Sequence, residues 1–463
     1  MNRNSQLGLM ALFVVACMLL GGATRLSTIP WLIIEIVSIG ALAIAFARPH
    51  NVRMISKERW ARRLATALAI LLIVYLAPLP PSIWGILPGR GGATKTYALL
   101  NISPPWLPIS MTPAATLSSA LATLPFFATF FTIIRGGHRF IIATAIAIVS
   151  VGLLSAIYAL LELMTGGRKN PRFYGEGSSP EGGFFANSNH NVTLMLVALI
   201  LAAGLFAWLR VESRDKSVRG GIYSVFGLAG STLILAIVLN GSVFGLLLLL
   251  PVLLASALIV RNGEASAKPL LVALGGVAVA LVAGVLALTS PKVEDFAQTK
   301  RSVPGLNRVA FAENTLRGAA DFLPLGSGPG SFQTIYPSYE TPSIVTDVFV
   351  NHAHNDYAEL VFETGLAGST LLVAFLAWWV FRFREAWSRK MPRSALSRAA
   401  SISTALIMIH SMVDYPLRTA TIMVVFAFCC GILALPQAAD INLRLSEGPI
   451  RAHRRRRTRH ISA

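Results

Sequence analysis

Apolar stretches long enough to cross a bilayer recur along the whole chain, and nothing else constrains its fold as strongly. Twelve can be marked, at about 7–22, 29–47, 64–79, 113–134, 140–163, 191–209, 220–239, 242–260, 269–289, 366–381, 399–415 and 419–436. A spanning helix needs roughly 20 mainly apolar residues. In lipid every backbone amide and carbonyl must find its partner within the protein, so segments of this kind fold as helices. Composition agrees: 54% of residues are hydrophobic and 13% charged, against about 25% charged in a soluble domain. A soluble globular fold is excluded. The expectation is an all-α integral membrane protein with about 12 transmembrane helices, residues 1–463 forming one polytopic domain.

The basic residues give this bundle a direction. With the N-terminus in the cytoplasm and the spans alternating, 28 of the 40 lysines and arginines fall in inward stretches. Those stretches are 48–63, 135–139, 210–219, 261–268, 382–398, the tail 437–463 and Arg3. This is the positive-inside pattern. The net charge of +19 is therefore read as a topology signal, and the RRRR run at 454–457 as part of a basic cytoplasmic tail beside anionic lipid. A short tail on a membrane body does not point to nucleic acid as a partner. The basic start and apolar run of residues 1–24 are read as a retained first helix, although a cleaved signal has the same outline. Cys17, Cys429 and Cys430 all fall within spans, so no disulfide framework is expected.

Three outward connections are long. The first, 80–112, carries Trp84 and Trp106, expected at headgroup depth. The second, 164–190, ends in FANSNHN. The third, 290–365, is expected to be partly helical over 308–323 and to fold against the membrane domain. Long connections in compact proteins commonly carry function.

The third loop holds three signals. Arg308 and Arg317 lie nine residues apart, two and a half turns, so a helix would place them on opposite faces. The run PLGSGPGSF contains Gly326, Gly328 and Gly330, whose amides either converge on an anion or simply make a tight turn. The stretch NHAHNDYAELVFETG collects titratable groups at the mouth of a span. Asn351, Asn355 or Asp356 can cap a helix starting near His354, and the helix dipole there disfavours a second proton on the imidazole. Such a histidine can take a proton from a hydroxyl. His352 and His354 could instead share a metal ligand set, or the whole stretch could be a polar cap. Residue types alone leave all three readings open.

Two further polar clusters sit at span ends. Asn187, Asn189, His190 and Asn191 form one. His410, Asp414 and Arg418 form the other, spaced four apart and so expected on one helical face. Ionisable groups in spans are costly and are usually paired or functional.

His354-Asn355, nine residues and then Gly365-Leu366-Ala367-Gly368 resembles the signature of the O-antigen ligase family. FANSNHN, Arg308 with LPLGSGPGSFQTIYPSY, and IHSMVDYPLR are similar to further segments of that family, over roughly residues 185–435. The resemblance implies a membrane glycosyltransferase of the bacterial inner membrane with its site on the periplasmic face, so that 290–365 becomes a periplasmic catalytic loop. It implies an undecaprenyl-pyrophosphate-linked glycan donor, and an acceptor hydroxyl on lipid A–core (ligase) or on another glycan (polymerase). Neither metal nor other cofactor is implied. By position His354 takes the place of the base and Arg308 that of a pyrophosphate-binding arginine. Asn355, Gly326, Gly328, Gly330, His352, Asn189, Arg317 and Arg418 are the expected substrate-binding residues. The chain departs from the family at Val243, where a second arginine is usual; either Arg172, Arg301, Arg317 or Arg418 replaces it, or the donor or activity differs. A transporter is the rival reading from another class, and charged or broken helices at mid-membrane are its mark.

Overall fold

The structure is a computed structural model, and it describes residues 3–24, 28–47, 56–165, 181–213, 215–261, 308–341, 345, 349–388 and 395–435. Most of the described chain is helical. The helices are α1 (Arg3–Leu20), α2 (Thr28–Phe46), α3 (Ser56–Val74), α4 (Pro81–Trp84), α5 (Gly91–Leu99), α6 (Pro113–Ala122), α7 (Leu124–Gly136), α8 (His138–Met164), α9 (Ser188–Glu212), α10 (Lys216–Leu239), α11 (Val243–Arg261), α12 (Arg308–Ala320), α13 (Phe332–Ile335), α14 (Asp356–Ser388), α15 (Ala395–His410) and α16 (Ala420–Ala434). Short 3-10 turns cover Tyr336–Tyr339 and Pro416–Arg418. The strands β1 (Pro78–Leu79) and β2 (Leu107–Pro108) pair antiparallel and close the first loop.

Seven helical segments among the described residues are long and apolar enough to cross a membrane: 29–46, 113–136, 138–164, 188–212, 216–239, 243–261 and 356–388. Helices α1, α15 and α16 are apolar but shorter. The expected span at 64–79 falls on α3, which starts earlier, in a basic turn, ends at Val74 and is not among these seven. The expected span at 269–289, the start of the third loop and the tail 437–463 lie outside the described residues.

Helix α9 is apolar all round and occupies the centre, where α8, α10, α11 and α15 pack around it. A helix with no polar face is stable only when enclosed. Close approach is achieved with small residues: Gly152 meets Ala198, and Gly204 meets Ala399. This is how helices associate in lipid, where apolar contact with a neighbour gains little over contact with acyl chains.

The two ends of the bundle differ in chemistry. At one end arginines close helix C-termini. Arg135 donates to Ala45 O (2.8 Å), Arg210 to Val260 O (3.1 Å) and Arg382 to Leu433 O and Leu435 O. The last carbonyls of a helix have no partner within it, and a guanidinium supplies the missing donors and favours the negative end of the dipole. At the other end lie the glycine turn, the start of α14 and the turn after α15. Loop 75–116 is tied to that end: Tyr75 Oη donates to Thr364 O (3.0 Å), and Met111 N to Ser327 O (2.8 Å). Trp84, expected at headgroup depth, is instead buried within this loop and donates Nε1–H to Pro108 O; Trp106 is exposed.

Candidate active site

Helix α14 begins as its sequence predicts. Asn355 Oδ1 accepts from the amides of Tyr357 and Ala358, both at 3.0 Å, and so caps the helix. His354 stands just before that cap, outside the helix, with φ at 50°. A non-glycine residue in this left-handed region costs on the order of 1–3 kcal/mol and persists only where its surroundings enforce it. The enforced backbone turns the imidazole towards Asp414, whose Oδ1 lies 3.3 Å from His354 Nδ1.

Asp414 is fully buried and collects donors from four directions. His190 Nε2 lies 3.5 Å from Oδ1, and His410 Nε2 3.8 Å from Oδ2. Asn187 and Asn189 donate to Oδ2 at 3.4 and 3.3 Å. Arg308 Nη1 lies 3.5 Å from Oδ2 and donates to Val413 O at 3.0 Å. Arg308 keeps 37% of its side-chain surface exposed, so its guanidinium is still open to an outside anion. Tyr415 fills the centre, its ring 4.5 Å from that of His352, 4.9 Å from His354 and 5.1 Å from His190.

Arg418 belongs to a second, separate group. It lies 3.5 Å from Asp356, 3.4 Å from Glu359 and 3.2 Å from Glu363, one face of α14. Each carboxylate in turn holds another element. Asp356 accepts from Ser411 Oγ (2.8 Å), Glu359 contacts His352 Nδ1 (2.9 Å) and accepts from Ala353 N (3.0 Å), and Glu363 accepts from Gly330 N (2.8 Å). One guanidinium therefore fixes the end of α15, the strand leading to His354 and the glycine turn together.

This corrects three expectations. Gly326 N donates to Phe322 O, Gly328 N to Glu363 O and Gly330 N to the Glu363 carboxylate. Their amides are all taken by the chain, two by backbone carbonyls and only that of Gly330 by a carboxylate. The turn needs glycine for packing: a Cβ on Gly328 would sit 2.2 Å from Ser110 Oγ, and one on Gly326 2.5 Å from Glu363 O. Gly365 matches it across the crossing, with φ 52° at a kink in α14. Arg418, expected to touch substrate, has its fork occupied by three carboxylates. His352 and His354 face different carboxylates, Glu359 and Asp414, so they do not form a shared ligand pair.

The remaining expected residues divide. Asn189 joins the Asp414 group and also accepts from Ser242 Oγ (2.8 Å), the residue before Val243. Arg317 is exposed on α12 and forms no ion pair among the described residues. Arg172 and Arg301 lie outside the described residues. His190 and Asp414 stand in the two polar clusters that the sequence marks at span ends, whereas nothing in the sequence sets apart Tyr415, Glu359 and Glu363 as members of these groups. The expected single helical face for His410, Asp414 and Arg418 fails because α15 ends at His410. Pro416, which cannot continue a helix, was the available signal.

Burial alone would raise the Asp414 carboxyl, but His190, His354 and Arg308 hold it well below the usual carboxylate range. A carboxyl whose folded value is depressed contributes stability that is fully present above its unfolded value, about pH 4, and is lost as pH falls through the lower folded value. Thermal unfolding in detergent should therefore show the wild type losing its advantage over Asp414→Asn only below about pH 4. A difference that vanishes already near pH 6 would contradict this charge state.

A bundle of apolar helices, with a histidine, a buried carboxylate and a part-exposed guanidinium grouped at one end, is the architecture of a multi-pass membrane protein. Residues 228–373 match the family model described as O-antigen ligase. The match runs from α10 through α11, Arg308, the glycine turn and His354 into α14, about a third of the chain. No curated protein matches the sequence. Over residues 228–373 this membrane protein is similar to the O-antigen ligase family.

Proposed function

We propose that the protein transfers a glycan from an undecaprenyl-pyrophosphate donor to a sugar hydroxyl, at the end of the bundle that carries His354. The observation that supports this most is the sharing of Asp414 by His354 and Arg308, residues 46 apart in sequence that lie 3.3 and 3.5 Å from one carboxylate. In this reading a base and a phosphate-binding cation stand on one carboxylate, close enough together to act on the acceptor hydroxyl and the diphosphate leaving group of one reaction.

In this reading Asp414 accepts the Nδ1–H of His354 and so leaves the Nε2 lone pair free. A carboxylate orients a catalytic imidazole in this way without taking its proton. Contacts of this kind commonly shorten only when substrate is bound. The acceptor hydroxyl gives its proton to Nε2 while its oxygen attacks the anomeric carbon. The bond from that carbon to the pyrophosphate oxygen breaks, its electron pair leaves with the diphosphate, and the configuration inverts. Arg308 meets the charge growing on the leaving group; a guanidinium can contact two phosphate oxygens at once, and a preorganised donor of this kind is worth about 3 kcal/mol. Neither His354 nor Arg308 requires a metal for these steps.

The arginine-lined end would face the cytoplasm, since basic residues favour that side, and the His354 end would then be periplasmic. A polymerase using the same donor and a glycan acceptor is the alternative within this chemistry. The test is transfer by the purified protein from lipid-linked glycan to lipid A–core or to a second lipid-linked glycan, in the presence of a strong chelator. Product on lipid A–core alone marks a ligase, and lengthened lipid-linked glycan a polymerase. Loss of all transfer in chelator, restored by a divalent metal, would overturn the metal-independent step.

A further inference from the structure

We propose that the foot of α3 binds the headgroup of an anionic phospholipid. Four arginines at this end of the bundle turn inward: Arg135, Arg210, Arg382 and Arg398 all donate to backbone carbonyls. The first turns of α3 behave differently. Arg59 and Arg63, four apart and on one face, are exposed. Arg59 has no ion pair or hydrogen bond among the described residues, and Arg63 rests 5.2 Å over the ring of Trp60. Arg62 lies 3.8 Å from Glu58. These side chains, with Thr66, Ala67 and Ile70, make up one face of the helix.

This face changes along the helix in the order a lipid does. Three guanidinium groups and a hydroxyl come first, then Ala67 and Ile70, and then the exposed Ile73. Trp60, 58% exposed, marks the headgroup level at which indoles concentrate. The opposite face of α3, through Ala61, Leu64, Ala65 and Leu68, lines an apolar cleft against α14, so the basic face is turned away from the described bundle. A guanidinium fork fits the two free oxygens of a phosphodiester. The apolar continuation selects a phosphate that carries acyl chains over a free phosphate ion. The site lies at the end of the bundle away from His354 and does not depend on the transfer reaction.

The test uses the full chain in neutral detergent, with bound lipid read by native mass spectrometry. Phosphatidylglycerol should be retained and phosphatidylcholine should not. An arginine near an anionic lipid surface is worth a factor of about five, so Arg59→Gln with Arg63→Gln should weaken phosphatidylglycerol binding about 25-fold. Arg384→Gln removes an exposed charge at the same end of the bundle and should leave binding unchanged. Equal retention of phosphatidylcholine, equal weakening by Arg384→Gln, unaltered binding in the double variant, or displacement by equimolar inorganic phosphate would each overturn the proposal. Should the double variant fail to fold, Arg59→Gln alone decides, with about fivefold weakening expected.

Discussion

His354→Ala should lower glycan transfer by about 10²–10⁴-fold, the usual contribution of a general base, while the protein folds and inserts as before. The imidazole is an end group: its Nδ1 faces Asp414 and its side chain keeps 11% of its surface exposed, so truncation opens the site without stripping the core. Asp414→Asn should fall between the wild type and His354→Ala. The amide keeps the packing but can present either a donor or an acceptor to Nδ1, so it no longer enforces the tautomer that leaves Nε2 free. Its loss should be in kcat, because the acceptor does not touch Asp414. Steady-state transfer with each purified variant separates these outcomes. Undiminished turnover in His354→Ala would remove the base from the proposal.

The second large effect is expected at a residue that the sequence placed in the site for a different reason. Arg418→Met should destabilise the protein by about 3–5 kcal/mol, the range for removing one partner of a buried ion pair, and abolish transfer as a consequence. The side chains of Glu359 and Glu363 retain 1% and 4% of their surface, so neither finds water when the guanidinium is gone. Their repulsion would release the glycine turn and the strand that positions His354. Arg418→Lys keeps the charge but cannot span three carboxylates with one fork, so it should recover part of the stability. Glu363→Gln introduced into Arg418→Met should also recover part, by removing one unpaired charge. Thermal unfolding in detergent, read beside transfer activity, checks both. Full activity and unaltered unfolding in Arg418→Met would show that the group is not a hub.

Much of the local structure could be read from the chain. The Asn355 cap, the helix at 308–320 and the apolar helices follow from residue type and spacing over a few turns. The clustering of arginines at one end also follows, because alternating spans carry successive basic loops to the same side. The roles within the polar residues could not be read in this way. The glycine run has the composition of an anion nest, but two of its three amides go to backbone carbonyls and the third to Glu363, which stands on another helix. His352 and His354 look like one pair and serve two carboxylates. Asp414 and Arg418 look like neighbours on a helix, yet Pro416 ends that geometry and sends them to opposite groups.

Hydropathy and charge partition are sums over the chain, and the sequence alone therefore determined that the protein is a helical membrane bundle with one basic end. The choice between Arg308 and Arg418 as the cation open to substrate is not a sum. It depends on which carboxylates stand within about 4 Å, where Coulomb attraction outweighs desolvation only for close, well-placed partners. Only the packing of α14 against α12 and the turn after α15 supplied those distances: three carboxylates closed Arg418 off, and one carboxylate, shared with His354, left Arg308 open.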